Sequence, residues 1–320
     1  GRDVLRKGVE AANWVEEHKD LMCYHRYRPF AVKRYSPYQV VETATLAHRQ
    51  LYRYMFHRAK TELIIREDIK HARFGPLADF LALVPSETPH QFFLNGSRAS
   101  ESPIKFSKEH MIVRSKHNFA NQLAAFALQA VKENKKRHEA VQKFMLANDT
   151  VTVATEVPVY IKRNDLLHMQ TQLGFELYAK PLPKLRSVEA KSRAPKLQSR
   201  QRNGDKGQGN GGVLSMSGNI GSGTANPFRL MTPDELPKLI TGHIDLIQIR
   251  NGLIHILDYK PNAAKEKPIE QLTLYAMALS RLTGLRMYCF KCAWFDEKDY
   301  FEFFPLHVVY KGRGKKRKKR

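Results

Sequence analysis

The stretch from Gly242 to Lys260 constrains the fold more than any other part of the chain. It reads Gly242-His243-Ile244-Asp245-Leu246-Ile247-Gln248-Ile249-Arg250, then Asn251-Gly252, then Leu253-Ile254-His255-Ile256-Leu257-Asp258-Tyr259-Lys260. Asn-Gly between two β-branched apolar runs marks a two-residue hairpin turn, because both turn residues take positive φ. Such a turn sets the register. Arg250 faces Leu253, and counting outward places Asp245 opposite Asp258 and His243 opposite Lys260. The aspartates land at a non-hydrogen-bonded position, where facing Cβ atoms are about 4.5–5.5 Å apart. Like charges placed this way repel, so a cation is expected between them. Lys260 lies two residues beyond Asp258 and shares its face.

Two carboxylates beside a lysine are the parts needed for metal-dependent hydrolysis of a phosphodiester. Hard divalent cations prefer oxygen ligands and keep several waters. Such an ion activates water and stabilises charge developing on phosphate, and a nearby ammonium positions the water or neutralises an oxyanion. The plainer reading is a solvated hairpin face with an ordinary ion pair. The opposed Asp and the registered turn favour the site.

Further residues extend the pattern. Glu156-Val157-Pro158-Val159 precedes the hairpin, and Gln271-Leu272 with Tyr275-Ala276 follows it. Taken in order with Gly242, Asp245 and Asp258-Tyr259-Lys260, these motifs resemble the PD-(D/E)XK nuclease superfamily, most closely its RecB-like exonuclease branch. The resemblance covers roughly residues 115 to 306. It implies a restriction-endonuclease-like α/β core, with a mixed central sheet flanked by helices, and cleavage of nucleic acid with one or two Mg²⁺ or Mn²⁺ ions. By motif position Asp245 and Asp258 would bind metal, Lys260 would be the catalytic lysine, and Glu156 an outer acidic group. Gln271 and Tyr275 would face the site or the substrate from the following helix. DNA is favoured over RNA because the branch resembled acts on it. The alternative is a catalytically inactive nucleic-acid-binding module that keeps the fold, but such a module is expected to have lost one of Asp245, Asp258 or Lys260.

The branch often carries a histidine ligand on a helix before the Glu motif. His117 and His138 are the candidates, on a helical stretch from about residue 117 to 146. Each reads most simply as a surface histidine, with His117 the better ligand candidate. Some relatives hold an iron–sulfur cluster on four cysteines. This chain has Cys23, Cys289 and Cys292, one too few for an all-cysteine cluster. Cys289 and Cys292 fall in an expected strand over 287–295, where residues three apart face opposite ways. They read as packing residues.

Independent signals support the helix after the hairpin. Pro268 suits a first-turn position, the run from Glu270 to Arg281 is rich in helix formers, and Gly284 suits a C-cap. Gln271 and Tyr275 are four apart and share a face, a spacing that amphipathic packing would also give.

Residues 1–105 read as a basic, mainly helical N-terminal region. Ser36-Pro37 predicts a helix running to about Lys60, with His48, Arg49, Tyr52, Arg53, Tyr54 and Phe56 along it, and a helix and strand are expected over 62–84. Arginines interleaved with aromatics suit base stacking and phosphate contacts. They equally suit an amphipathic helix with its aromatic side in the core. Residues 106–310 form the expected nuclease domain. Within it, Val151 to Ile161 is a strand by its β-branched content, and Pro158 marks an edge or bulge. Residues 184–226, polar and Gly-rich, are expected to be a disordered insert. After the Gln271 helix, two strands ending near Leu306 are expected to close the sheet.

Net charge is +23, and eight of the last ten residues, 311–320, are Lys or Arg. The remainder still carries +15, which suits a polyanionic partner. The tail reads as a solubilising or targeting peptide or as a nucleic-acid grip. No apolar run approaches membrane-spanning length and no secretory signal is visible. Sparse cysteines favour a reducing compartment, so the expected location is intracellular, cytoplasmic or nucleoid, and nuclear in a eukaryote. No Gly-rich phosphate loop is present to support ATP hydrolysis.

Overall fold

Long β-branched runs meet in one mixed sheet, seen in a computed structural model that describes residues 41–108, 111–129, 131–179 and 229–310. Its strands are β1 (Glu42–His48), β2 (Gln50–Phe56), β3 (Ser97–Arg98), β5 (Arg114–Lys116), β6 (Thr152–Lys162), β8 (Leu239–Arg250), β9 (Leu253–Tyr259), β10 (Phe290–Phe295) and β11 (Tyr300–Phe303). Their order is β1-β2-β6-β8-β9-β10-β11-β5, with β3 added to the edge of β8. The β9–β10 and β3–β8 pairs are parallel and the others antiparallel. Two short strands, β4 (Ile104–Lys105) and β7 (Tyr178–Ala179), pair separately.

Helices cover both faces. The larger core packs α2 (Gly75–Glu87) and α7 (Ile269–Thr283) against Val157, Val159, Ile247, Ile256 and their neighbours. The smaller core sets α4 (Phe119–Leu128) and α5 (Asn134–Asn148) over Leu246, Leu257, Ala293 and Phe295. Four shorter helices complete the described residues: α1 (Arg58–Glu67), α3 (His90–Asn95), α6 (Arg163–Thr171) and α8 (Leu306–Val309). This is the α/β arrangement with a mixed central sheet flanked by helices that the sequence predicts.

Several local expectations hold. Asn251 and Gly252 take φ of 53° and 70°, and the hairpin ladder runs in the predicted register from Arg250↔Leu253 to Leu246↔Leu257. Helix α7 starts after Pro268 and ends at Gly284, whose φ is 71°. Pro158 lies on an interior strand, but β2 pairs with β6 only at Ala154 and Thr155. Past that point β6 has a ladder on its β8 side alone, so the missing N–H costs little. Cys289 and Cys292 are buried, the first in a 3₁₀ turn that occupies 287–289 before β10 begins, the second donating to the Leu272 carbonyl at 3.4 Å.

Three expectations are corrected. The helix placed over 36–60 is, over residues 42–56, the β1–β2 hairpin. Leu46 and His48 are buried while Thr43, Thr45 and Ala47 are exposed, a two-residue alternation that suits a strand. The chain reverses at Arg49 with φ of 62°. The helix and strand over 62–84 are instead helices α1 and α2. The stretch 117–146 is two helices, α4 and α5, rather than one. Strands β1, β2 and β3 all precede residue 106, yet belong to the same sheet as the later strands. Ser36-Pro37, Cys23, the 184–226 insert and the 311–320 tail lie outside the described residues.

The β1–β2 hairpin is anchored at its turn. Arg49 donates to the carbonyls of Leu94 and Gly96, at 3.1 and 2.8 Å from Nη2. His48 is buried, stacks on Phe93 at 4.0 Å, and hydrogen-bonds through its two nitrogens to His243 at 2.8 Å and His90 at 2.9 Å. Burial, helped by neighbouring His90, lowers the His48 pKa from 6.5 to about 4. Below pH 6.5 the unfolded chain therefore takes up a proton that the folded state refuses until about pH 4, and stability falls across that window. We expect the Tm to drop between pH 6.5 and 4, and the slope to be shallower in His48→Gln. An unchanged slope in that variant would contradict the neutral buried imidazole.

Candidate active site

The β8–β9 ladder stops at Leu246↔Leu257 and the strands part. One step beyond, at the fork, the Asp245 and Asp258 side chains lie close enough for each to act on the other's charge. The Tyr259 N–H, freed from the ladder, donates to Asp245 Oδ2 at 3.0 Å. The expected His243–Lys260 pair does not form, because the fork opens before reaching it. His243 pairs with Pro158 on β6, and the Lys260 N–H donates to the Phe295 carbonyl at 2.9 Å. The Lys260 side chain turns back to Asp258, its Nζ 2.9 Å from both carboxylate oxygens.

Glu156 comes from the neighbouring strand. Thr155 pairs with Leu246 and Val157 with Ile244, which leaves Glu156 across from Asp245. Its φ of 49° is left-handed, a conformation that costs a non-glycine residue about 1–3 kcal/mol. Ala154 and Val157, three apart, share one core, as do Ile244 and Ile247. In regular strands residues three apart face opposite ways, so both strands turn over where Glu156 and Asp245 meet.

Helix α5 supplies the histidine. His138 Nε2 lies 3.0 Å from Asp245 Oδ2 and 3.9 Å from Glu156 Oε1. One turn later Gln142 donates to Glu156 Oε1 at 2.6 Å. His117 does not join the group; it is exposed between β5 and α4. The sequence offered both histidines and favoured His117, which the structure leaves outside the group that His138 joins. The available signal was that His138 and Gln142 share a helix face, but nothing local said that this face meets the β8 fork. From the other layer, α7 brings Gln271 and Tyr275, joined by a 2.9 Å hydrogen bond. The Tyr275 ring fills the space above Gly242, where an added Cβ would lie 2.2 Å from Cε1.

The charges are strongly coupled. Burial, then the facing Asp245, push the Asp258 carboxyl well above the usual range. Burial alone would raise Asp245 too, but His138 outweighs it and holds Asp245 low. Burial and Asp245 raise Glu156 to about 7, against Gln142 and His138. Asp245 raises His138 to about 9 despite burial. Burial opposes the charge on Lys260, yet Asp258 and Asp245 raise its pKa.

These residues fit a divalent cation. His138, Glu156 and Asp245 each offer a ligand atom, and the three atoms lie within 4.8 Å of one another. Asp258 stands beside them, with both of its carboxylate oxygens 2.9 Å from the Lys260 ammonium. The carboxylate oxygens suit Mg²⁺ or Mn²⁺ with waters completing the shell, and an imidazole ligand favours a transition ion over Mg²⁺. A cleft of about 460 Å³ leads to the group, lined by Tyr52 and Arg98 as well as His138, Glu156 and Asp245.

The family model for the PD-(D/E)XK nuclease superfamily matches residues 213–297. That span holds Asp245, Asp258, Lys260, Gln271 and Tyr275, and excludes Glu156 and His138. Neither a curated protein nor a solved structure matches the chain. The match and the sheet together define a nuclease-like α/β fold. Among the described residues no helix is long and apolar enough to cross a membrane.

The Gly242 contact gives a direct test of this packing. Gly242→Ala should force Tyr275 off its seat and cost about 1–3 kcal/mol, as overpacking does, read as a lower urea midpoint. A wild-type midpoint would mean that Tyr275 is not held against Gly242.

Proposed function

We propose that this chain is a metal-dependent nuclease that hydrolyses phosphodiester bonds of nucleic acid, with DNA the favoured substrate. The observation that carries the reading is the convergence of Asp245, Asp258, Glu156, His138 and Lys260 at one fork in the sheet. Its motif order still resembles the RecB-like branch, and residues 106–310 are the segment assigned to the catalysis.

Asp245 and Asp258 are the principal ligands for Mg²⁺ or Mn²⁺, with Glu156 and His138 completing the protein's share. When bound, such an ion lowers the pKa of water and stabilises charge on the reacting phosphate. Lys260, held on Asp258, presents an ammonium that orients the attacking water and offsets negative charge as the phosphorus becomes five-coordinate. Gln142 fixes the Glu156 carboxylate. Tyr275 and Gln271 support the floor under Gly242. With several kcal/mol of stabilisation at stake, losing a principal ligand should slow cleavage on the order of a thousandfold or more.

End-labelled single- and double-stranded DNA and RNA, incubated with Mg²⁺, Mn²⁺ or EDTA, give the test. Wild type should cleave only with metal, and Asp258→Ala should not cleave while still binding, because Lys and Arg supply most of the affinity. Binding without cleavage under every condition would favour the inactive module instead. His138→Ala should raise the Mn²⁺ concentration needed for half-maximal cleavage by about ten- to a hundredfold, as metal-site changes typically do. His117→Ala should leave that concentration unchanged, and the reverse pattern would sink the His138 assignment.

A further inference from the structure

The aromatic and basic residues of the β1–β2 hairpin stand in the cleft beside the carboxylates. Tyr52 is half-buried there, and its ring lies flat on the His243 imidazole, 3.5 Å between centroids and 12° between planes. His243 is hydrogen-bonded to His48, which is itself stacked on Phe93 at 4.0 Å and 8°. Tyr52 is thus the outermost ring of a braced aromatic column. Among the described residues, no other ring stacks on its second face. The hairpin carrying it is pinned through Arg49 to the Leu94 and Gly96 carbonyls. A platform held in this way loses little entropy when something lies on it.

Two neighbours extend the surface. Arg98, on β3, lines the same cleft and has no carboxylate partner among the described residues. Leu51, next to Tyr52 and 75% exposed, stands at the rim. A flat ring, an unpaired guanidinium and an apolar rim are what an unpaired nucleotide recognises: the ring takes the base, the guanidinium the phosphate. A base inside a duplex already has both faces covered by its neighbours, so only an unstacked base can lie on Tyr52. A cleft of about 460 Å³ is in the range of single small-ligand sites, roughly 300–1,000 Å³. That is room for about one nucleotide.

We propose that Tyr52, backed by His243, is a stacking platform that holds an unpaired base beside the carboxylates, with Arg98 on its phosphate, so that the site takes single-stranded nucleic acid. This rests on the nuclease reading for what happens next, but the binding step does not. Tyr52 is a specificity-determining residue, not one that performs the hydrolysis.

The full-length protein in EDTA, titrated with a single-stranded DNA or RNA oligonucleotide carrying 2-aminopurine at successive positions, separates the two claims. Stacking on a ring quenches that base, so wild type and Tyr52→Phe should quench it at one position. Tyr52→Leu should lose the quench and bind about five- to a hundredfold more weakly, the usual effect of removing a stacked aromatic. Tyr52→Trp guards against a folding artefact in the Leu variant, since its indole fluorescence should fall when unlabelled oligonucleotide is added. The DNA and RNA arms show which sugar the platform accepts. Blunt duplex should compete poorly. Equal competition by duplex, or a Tyr52→Leu variant that binds and quenches like wild type, would overturn the proposal whatever the cleavage results. Quenching at one position in a protein that never cleaves would uphold the platform and discard the nuclease.

Discussion

Asp245, partly buried, and Asp258, buried, face each other, and most of the local architecture answers that confrontation. Two ionised carboxylates in a poorly hydrated site repel strongly, and one is driven to hold a proton or find a counter-charge. The protein supplies partial answers from three directions. His138 approaches Asp245 from the α5 layer, Lys260 caps Asp258 from the end of β9, and the Tyr259 N–H gives Asp245 a backbone donor. Three carboxylates, Glu156, Asp245 and Asp258, still outnumber the two basic groups, His138 and Lys260, that face them. A site left one partner short in this way is poised for a cation, and stability alone gives no reason to keep it.

The backbone tells the same story. Strands β6 and β8 pair over most of their length, yet both turn over at Glu156 and Asp245. Glu156 pays for that turn with a left-handed φ. An apolar residue on a regular strand would avoid the strain. The turn makes Glu156, Asp245 and His138 neighbours although they come from two strands and a helix. Strain and an excess of carboxylates over basic groups at the same few residues together favour a functional site over a structural ion pair.

What could be read from the sequence was what local chemistry determines. The Asn251-Gly252 turn sets its own register, so the facing aspartates followed by counting. Helix α7 announced itself by Pro268 and Gly284, and with it the Gln271–Tyr275 face. The errors came where tertiary contact decides. Residues 42–56 carry Thr and aromatic residues at a two-residue period, but Ser36-Pro37 suggested a helix start and the arginines suited a helix surface. Nothing local marks Arg49 as a left-handed turn. His138 lies on a helix of low amphipathic contrast, and its value appears only when α5 is laid across the β8 fork. His243 was assigned to Lys260 by extending a ladder that the fork cuts short.

That fork also explains why residues before 106 reach the site at all. β9 leaves β8 after Leu246, and the exposed edge of β8 is taken up again at Ile240 and Thr241 by β3. Between these two partners, from Gly242 to Asp245, the described structure gives β8 no strand on that side, so the sheet opens there into the cleft. β3 brings Arg98 to its rim. The β1–β2 hairpin, joined to the sheet through β6, lays Tyr52 over His243 within the same gap. The departure of one strand thus opens the cleft onto the facing carboxylates, and on the proposed reading this is the opening through which a substrate reaches them. The N-terminal strands that border this opening are placed to decide what enters it.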